Sequence, residues 1–106
     1  MNIVFLEAAE QDLGELREYI LKNFSAKTWQ HTYEQIKESI RSLQRFPLAG
    51  SMPNELHELN LSQYRQLISG QNRIIYEIRQ NTIYVHVISD ARRDMKSLLT
   101  RRLLRI

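Results

Sequence analysis

The sequence predicts an α+β fold of order β-α-α-β-β-β-α, in which a helical hairpin and a C-terminal helix pack on a small, mainly antiparallel sheet. Three observations predict it. Apolar residues recur at helical spacing over residues 8–46. Three short apolar runs follow at meander spacing over residues 65–88. Helical spacing then returns over residues 91–104.

Each element has its own signal. Ile3-Val4-Phe5-Leu6 reads as a first strand. From Ala8, Ala9, Leu13, Leu16 and Ile20 recur at three- and four-residue intervals, and Glu7, Glu10, Asp12 and Glu15 make the early turns acidic, as a helix N-terminus favours. Asn23-Phe24-Ser25 breaks this helix, and Ser25 caps the next. Trp29, Tyr33, Ile36, Ile40 and Leu43 form the stripe of a second helix that runs to Phe46 and ends at Pro47. Pro47, Gly50 and Pro53 make the chain irregular up to Gln63, with a short turn around Glu55 to Leu59. Strands follow at Arg65–Ser69, Arg73–Ile78 and Ile83–Ile88, with turns at Gly70 and at Gln80-Asn81. Asp90 is then placed to cap a last helix from Ala91 to about Leu104, with Met95, Leu98, Leu99 and Leu103 facing inward.

The 106 residues suit one domain, 1–106, at the small end of what buries an adequate core. With no cysteine there is no disulfide framework, thiol nucleophile or thiolate metal site, which fits a cytoplasmic protein. No basic leader precedes the four-residue apolar start and nothing approaches a membrane span, so neither a secretory signal nor a membrane role is expected. Charge is uneven. Residues 1–60 hold six Lys/Arg against nine Asp/Glu, whereas residues 61–106 hold nine against three. An acidic front and a basic back point to a functional face in the C-terminal half.

The candidate binding residues are therefore Arg65, Arg73, Arg92, Arg93 and Lys96. Arg73 opens a strand otherwise built from Ile74, Ile75, Tyr76 and Ile78. Burying an unpaired guanidinium is costly, so it needs a solvent-facing edge or an acid such as Glu77 or Asp90. Otherwise it is presented to a phosphate or a partner's carboxylate. Arg101, Arg102 and Arg105 complement the C-terminal end of the last helix dipole and need no function. Arg92 and Arg93 fall in its first turn, where the dipole disfavours a cation by a few tenths of a kcal/mol, so binding is the better account of them. His86 reads as a packed strand residue rather than a general base, and His31 and His57 lack metal-ligand spacing. No Gly-rich phosphate loop or G-x-S-x-G is present, and no cofactor or metal is expected.

Taken together, Glu7-Ala8-Ala9-Glu10-Gln11-Asp12-Leu13, Tyr64-Arg65-Gln66-Leu67, Asn72-Arg73-Ile74-Ile75-Tyr76 and Val87-Ile88-Ser89-Asp90-Ala91-Arg92-Arg93-Asp94-Met95 resemble the ParE/RelE toxin superfamily over essentially the whole chain. The resemblance implies a type II toxin held silent by a cognate antitoxin protein, whose acidic segment would suit the basic back. RelE-like members cleave messenger RNA on the ribosome, and their pattern places Arg73 and Arg93 at two arginines of the nuclease site. Against that pattern, Leu99 stands near a late tyrosine and Arg65 is one cation where RelE has two lysines. Asp90 stands where many relatives carry histidine, and Asn72 where tyrosine is usual.

ParE-like members instead poison DNA gyrase. The long hairpin over 8–46 and the ending Arg93-Asp94-Met95 … Arg102-Leu103 are closer to ParE. The resemblance thus implies a growth-arresting gyrase inhibitor of the kind linked to plasmid stabilisation, acting in an oligomeric toxin–antitoxin complex. The alternatives are a ribosome-dependent endoribonuclease and a non-toxic, antitoxin-binding corepressor derivative.

Overall fold

The computed structural model describes residues 1–52 and 54–104. Its elements are β1 (Asn2–Phe5), α1 (Glu7–Asn23), α2 (Ala26–Ser42), α3 (Asn54–Glu58), β2 (Tyr64–Ser69), β3 (Asn72–Arg79), β4 (Thr82–Asp90) and α4 (Met95–Leu103). One sheet carries all four strands in the order β1-β4-β3-β2. The β2-β3-β4 meander is antiparallel, and β1 lies parallel beside β4. Among the described residues no helix is long and apolar enough to cross a membrane.

Local chemistry sets the element ends. Ser25 caps α2 by accepting the Thr28 N–H at 3.1 Å. Gly70 turns the β2–β3 hairpin at φ +59°, and Gln80 does the same before β4 at φ 55°. α2 stops at Ser42, short of the expected Phe46, because the amides of Leu43, Gln44 and Arg45 turn back to carbonyls at tighter, i−3 spacing. Pro47 is therefore not the terminator. Its carbonyl instead accepts the Tyr76 hydroxyl at 2.8 Å.

Both faces of the sheet are covered. On one, Ala9, Ile36 and Ile40 of the hairpin meet Ile74, Val85 and Ile88. On the other, Leu56 of α3 and Met95, Leu98 and Leu99 of α4 meet Tyr64, Ile75 and Val87. Burial on both faces explains why residues 72–77 are buried without interruption rather than in alternation.

The last helix begins four residues later than expected. Asp90 is the final residue of β4 and does not cap a helix. The Ala91 N–H extends the pairing to the Gln71 carbonyl at 2.7 Å, which keeps this stretch extended. Asp94 caps α4 instead, accepting the Ser97 N–H at 3.2 Å and its hydroxyl at 2.8 Å. Arg92 and Arg93 accordingly sit in the turn before α4, so the unfavourable dipole argued for them does not act. Arg105, expected on this helix, and Pro53 lie outside the described residues.

The β3–β4 register shifts by one residue. Ile75 faces Val87 and Tyr76 faces Val85, which leaves His86 as an extra residue in β4. Next to the bulge, a long-range ion pair takes two backbone groups of β4. Asp12 of α1 accepts the Ile88 N–H at 3.0 Å, and Arg102 of α4 donates to the His86 carbonyl at 2.6 Å. The same pair therefore ties α1, β4 and α4 together.

Candidate functional site

The five candidate cations do not converge on one site, and four of them have intramolecular partners. Arg65, half-buried on β2, donates through Nη1 to the Gly50 carbonyl at 2.8 Å and to the Leu48 carbonyl at 3.4 Å. It thereby holds the loop that follows α2 against the edge of the sheet, where Ser51 bridges Gln66. Arg73 is only 8% exposed. Its Nη1 and Nη2 close on the Glu55 carboxylate at 3.2 and 3.0 Å, and its Nε donates to Gln66 Oε1. This guanidinium beside Glu55 holds that carboxyl below its ordinary range. The acid is neither Glu77 nor Asp90, the two that local sequence suggests.

Arg92 is exposed and forks onto Asp90, with Nε to Oδ1 at 3.0 Å and Nη2 to Oδ2 at 2.9 Å. Asp90 also accepts the Arg92 N–H at 2.8 Å. The Arg92 contacts depress the Asp90 carboxyl, and Asp90 in turn raises the Arg92 guanidinium. Lys96, in the first turn of α4, meets Glu58 of α3 at 3.2 Å across an exposed surface. Arg93 alone of the five makes no side-chain hydrogen bond or ion pair among the described residues. It lines two neighbouring hollows, one beside Glu15, Leu16 and Asn72 and one beside Gln11, Leu98 and Arg101.

His86 faces α3 and α4 rather than the hairpin. Its Nε2 lies 2.9 Å from Glu77 Oε1, and Tyr64 meets its ring edge-on with centroids 4.9 Å apart. Burial lowers the imidazole's proton affinity, and the Glu77 carboxylate opposes that only in part. Arg79 joins the cluster through Glu77 at 3.3 Å and by lying over the Tyr84 ring at 4.3 Å. His86 and Tyr64 open onto a cavity of about 850 Å³ that Gln11, Gln63, Arg102 and Leu104 help to line.

Sequence reading misses the acids that matter most. Local pattern marks Asp12 only as one of several N-terminal helix acids, and Glu55 only as part of a turn. Each pairs with an arginine too distant in sequence for spacing to reveal it, at separations of 90 and 18 residues.

A helical hairpin laid on one face of a four-stranded sheet, with a last helix on the other, defines a small basic α+β protein with no evident reaction centre among the described residues. Residues 3–95 match the family described as the ParE toxin of type II toxin–antitoxin systems, parDE. The chain belongs to the ParE toxin family. The structure also resembles a chain from the chromosomal ParDE toxin–antitoxin system of P. aeruginosa, with a TM-score of 0.70 and 14% identity over 85% of this chain and 95% of that one. At that identity the likeness speaks for the fold. No curated protein matches the sequence.

Proposed function

We propose that this toxin arrests growth by poisoning DNA gyrase and is neutralised by a cognate antitoxin in an oligomeric cytoplasmic complex. The observation that carries the reading is the match to the ParE toxin family over residues 3–95, and a protein of that family implies an antitoxin partner. The uneven charge supports it, since an acidic antitoxin segment would be drawn to the basic C-terminal half.

The RelE-type endoribonuclease alternative needs cations free to settle on a phosphate as charge develops. Arg73 is a poor candidate, because its fork is already closed on Glu55 and its Nε on Gln66. Arg93 stands apart from it in the turn before α4. The third reading, a non-toxic corepressor derivative, predicts no growth arrest at all.

A supercoiling and cleavage-complex assay with purified gyrase tests the proposal, run with and without the antitoxin. Inhibition with trapped cleaved DNA, relieved by the antitoxin, is the expected result. No effect on gyrase from protein that still arrests growth in cells would move the function to ribosome-dependent RNA cleavage.

A further inference from the structure

The side of the helical hairpin that does not meet the sheet carries a stripe that the fold leaves unused. Ala9, Leu13 and Leu16 of α1 pack toward the sheet. Glu10, Gly14, Arg17 and Leu21 follow one another at helical spacing on a separate stripe, and all four are exposed. Neither Glu10 nor Arg17 makes a side-chain hydrogen bond or ion pair among the described residues, although both stand at the rim of one hollow.

Gly14 sits in the interior of α1, where a glycine weakens the helix. The space where its Cβ would stand is open, with no atom within 4 Å, so the packing of this chain does not require it. A close approach by another helix does. With no side chain at the crossing point, two helix axes settle at the short end of their usual separation, about 8 Å. Beside Gly14, a hollow of about 330 Å³ opens between α1 and α2, walled by Leu13, Trp29 and Tyr33. The two rings stack with centroids 5.3 Å apart, and the Lys37 ammonium lies over Tyr33 at 4.7 Å, which holds the aromatic wall in place. Aromatic rings in a hollow rimmed by charge are the usual anchors of a protein interface.

We infer that this face binds a second copy of the chain, with α1 crossing α1 antiparallel about a two-fold axis between Leu13 and Gly14. The charge pattern selects that occupant because it is self-complementary. In an antiparallel pair centred there, residue 10 of each copy stands opposite residue 17 of the other, so Glu10 meets Arg17 twice. A purely acidic or purely basic partner would satisfy one of these charges and be opposed by the other. Each helix of the hairpin is about 25 Å long and the pair about 20 Å wide, which offers on the order of 500 Å² per copy. A tight complex buries about 800 Å² per partner, so this dimer is a weak one, with a Kd on the order of 10 μM. The inference does not depend on which target the toxin poisons.

Sedimentation equilibrium of the intact chain, from about 1 to about 200 μM, tests the inference. The expected result is a reversible monomer–dimer equilibrium. Glu10→Arg and Arg17→Glu should each weaken it about tenfold, since either swap turns two attractive contacts into two repulsive ones. The double variant Glu10→Arg/Arg17→Glu should dimerise as the parent does. An equimolar mixture of the two single variants should dimerise as well, because each then meets its unlike charges on the other. Gly14→Leu should abolish the dimer without lowering the thermal midpoint, which shows that the glycine serves the contact and not the helix. A chain that stays monomeric throughout, a dimer indifferent to the charge swaps, or single variants that do not recover when mixed would each overturn the proposal.

Discussion

Asp12 and Arg102, 90 residues apart in sequence, meet through two parallel contacts, Nη1 to Oδ1 at 2.9 Å and Nη2 to Oδ2 at 3.1 Å. They also bond two backbone groups of β4 beside its bulge, the Ile88 N–H and the His86 carbonyl. Removing one member of this half-buried pair strands the other charge, so Arg102→Met should cost about 2 kcal/mol in urea unfolding. The double variant Asp12→Leu/Arg102→Met should recover part of that loss but not all. It still leaves the Ile88 N–H and the His86 carbonyl without partners. Full recovery would mean that the pair does not serve the bulge.

A second prediction concerns the loop after α2. Gly50 donates its N–H to the Tyr76 hydroxyl at 2.9 Å, and a Cβ there would lie 2.5 Å from that oxygen and 2.8 Å from the Gln66 carbonyl oxygen. Gly50→Ala should therefore destabilise by about 2 kcal/mol, as overpacking does. Adding Tyr76→Phe should relieve only part of the loss, since the Gln66 contact is backbone and cannot swing aside. Thermal unfolding of the two variants checks the order.

His86 supplies a pH dependence whose sign follows from its lowered proton affinity. The folded state binds the proton less readily than the unfolded chain, so stability is fully present above the unfolded imidazole value of about 6.5. It is lost as pH falls through the lower folded value. His86→Gln should flatten this part of the stability profile between about pH 7 and pH 5. An unchanged slope in that variant would assign the dependence to another group.

Local order is largely legible in the sequence, and long-range pairing is not. The Ser25 cap, the Gly70 turn and the three meander strands each rest on chemistry within a few residues, and each lies where local pattern puts it. The start of α4 is ambiguous in the sequence because Asp90 and Asp94 both carry a capping signal. What decides between them is the Ala91–Gln71 hydrogen bond, a contact between strands that no local pattern contains. In the same way Arg73 is recognisable as out of place in an apolar strand, yet its partner Glu55 lies on a separate short helix. In the sequence Asn72 stands out only as a departure from tyrosine.

The last prediction separates Arg73, which holds the fold, from Arg93, which has no side-chain partner among the described residues. Arg73→Ala would leave the Glu55 carboxylate and the Gln66 amide without their donor, and should cost about 2 kcal/mol. Because Arg73 holds the Glu55 carboxyl below its ordinary value, this contribution is present above the unfolded carboxyl value of about 4.3 and is lost as pH falls through the folded one. The penalty of Arg73→Ala should therefore shrink towards about pH 3. Arg93→Ala, with no partner among the described residues, should change stability by less than about 0.5 kcal/mol at any pH. Growth arrest measured beside unfolding then distinguishes the two roles. Loss of toxicity in a fully stable Arg93→Ala would make Arg93 a contact residue, whereas toxicity that falls only with stability would assign both arginines to the scaffold.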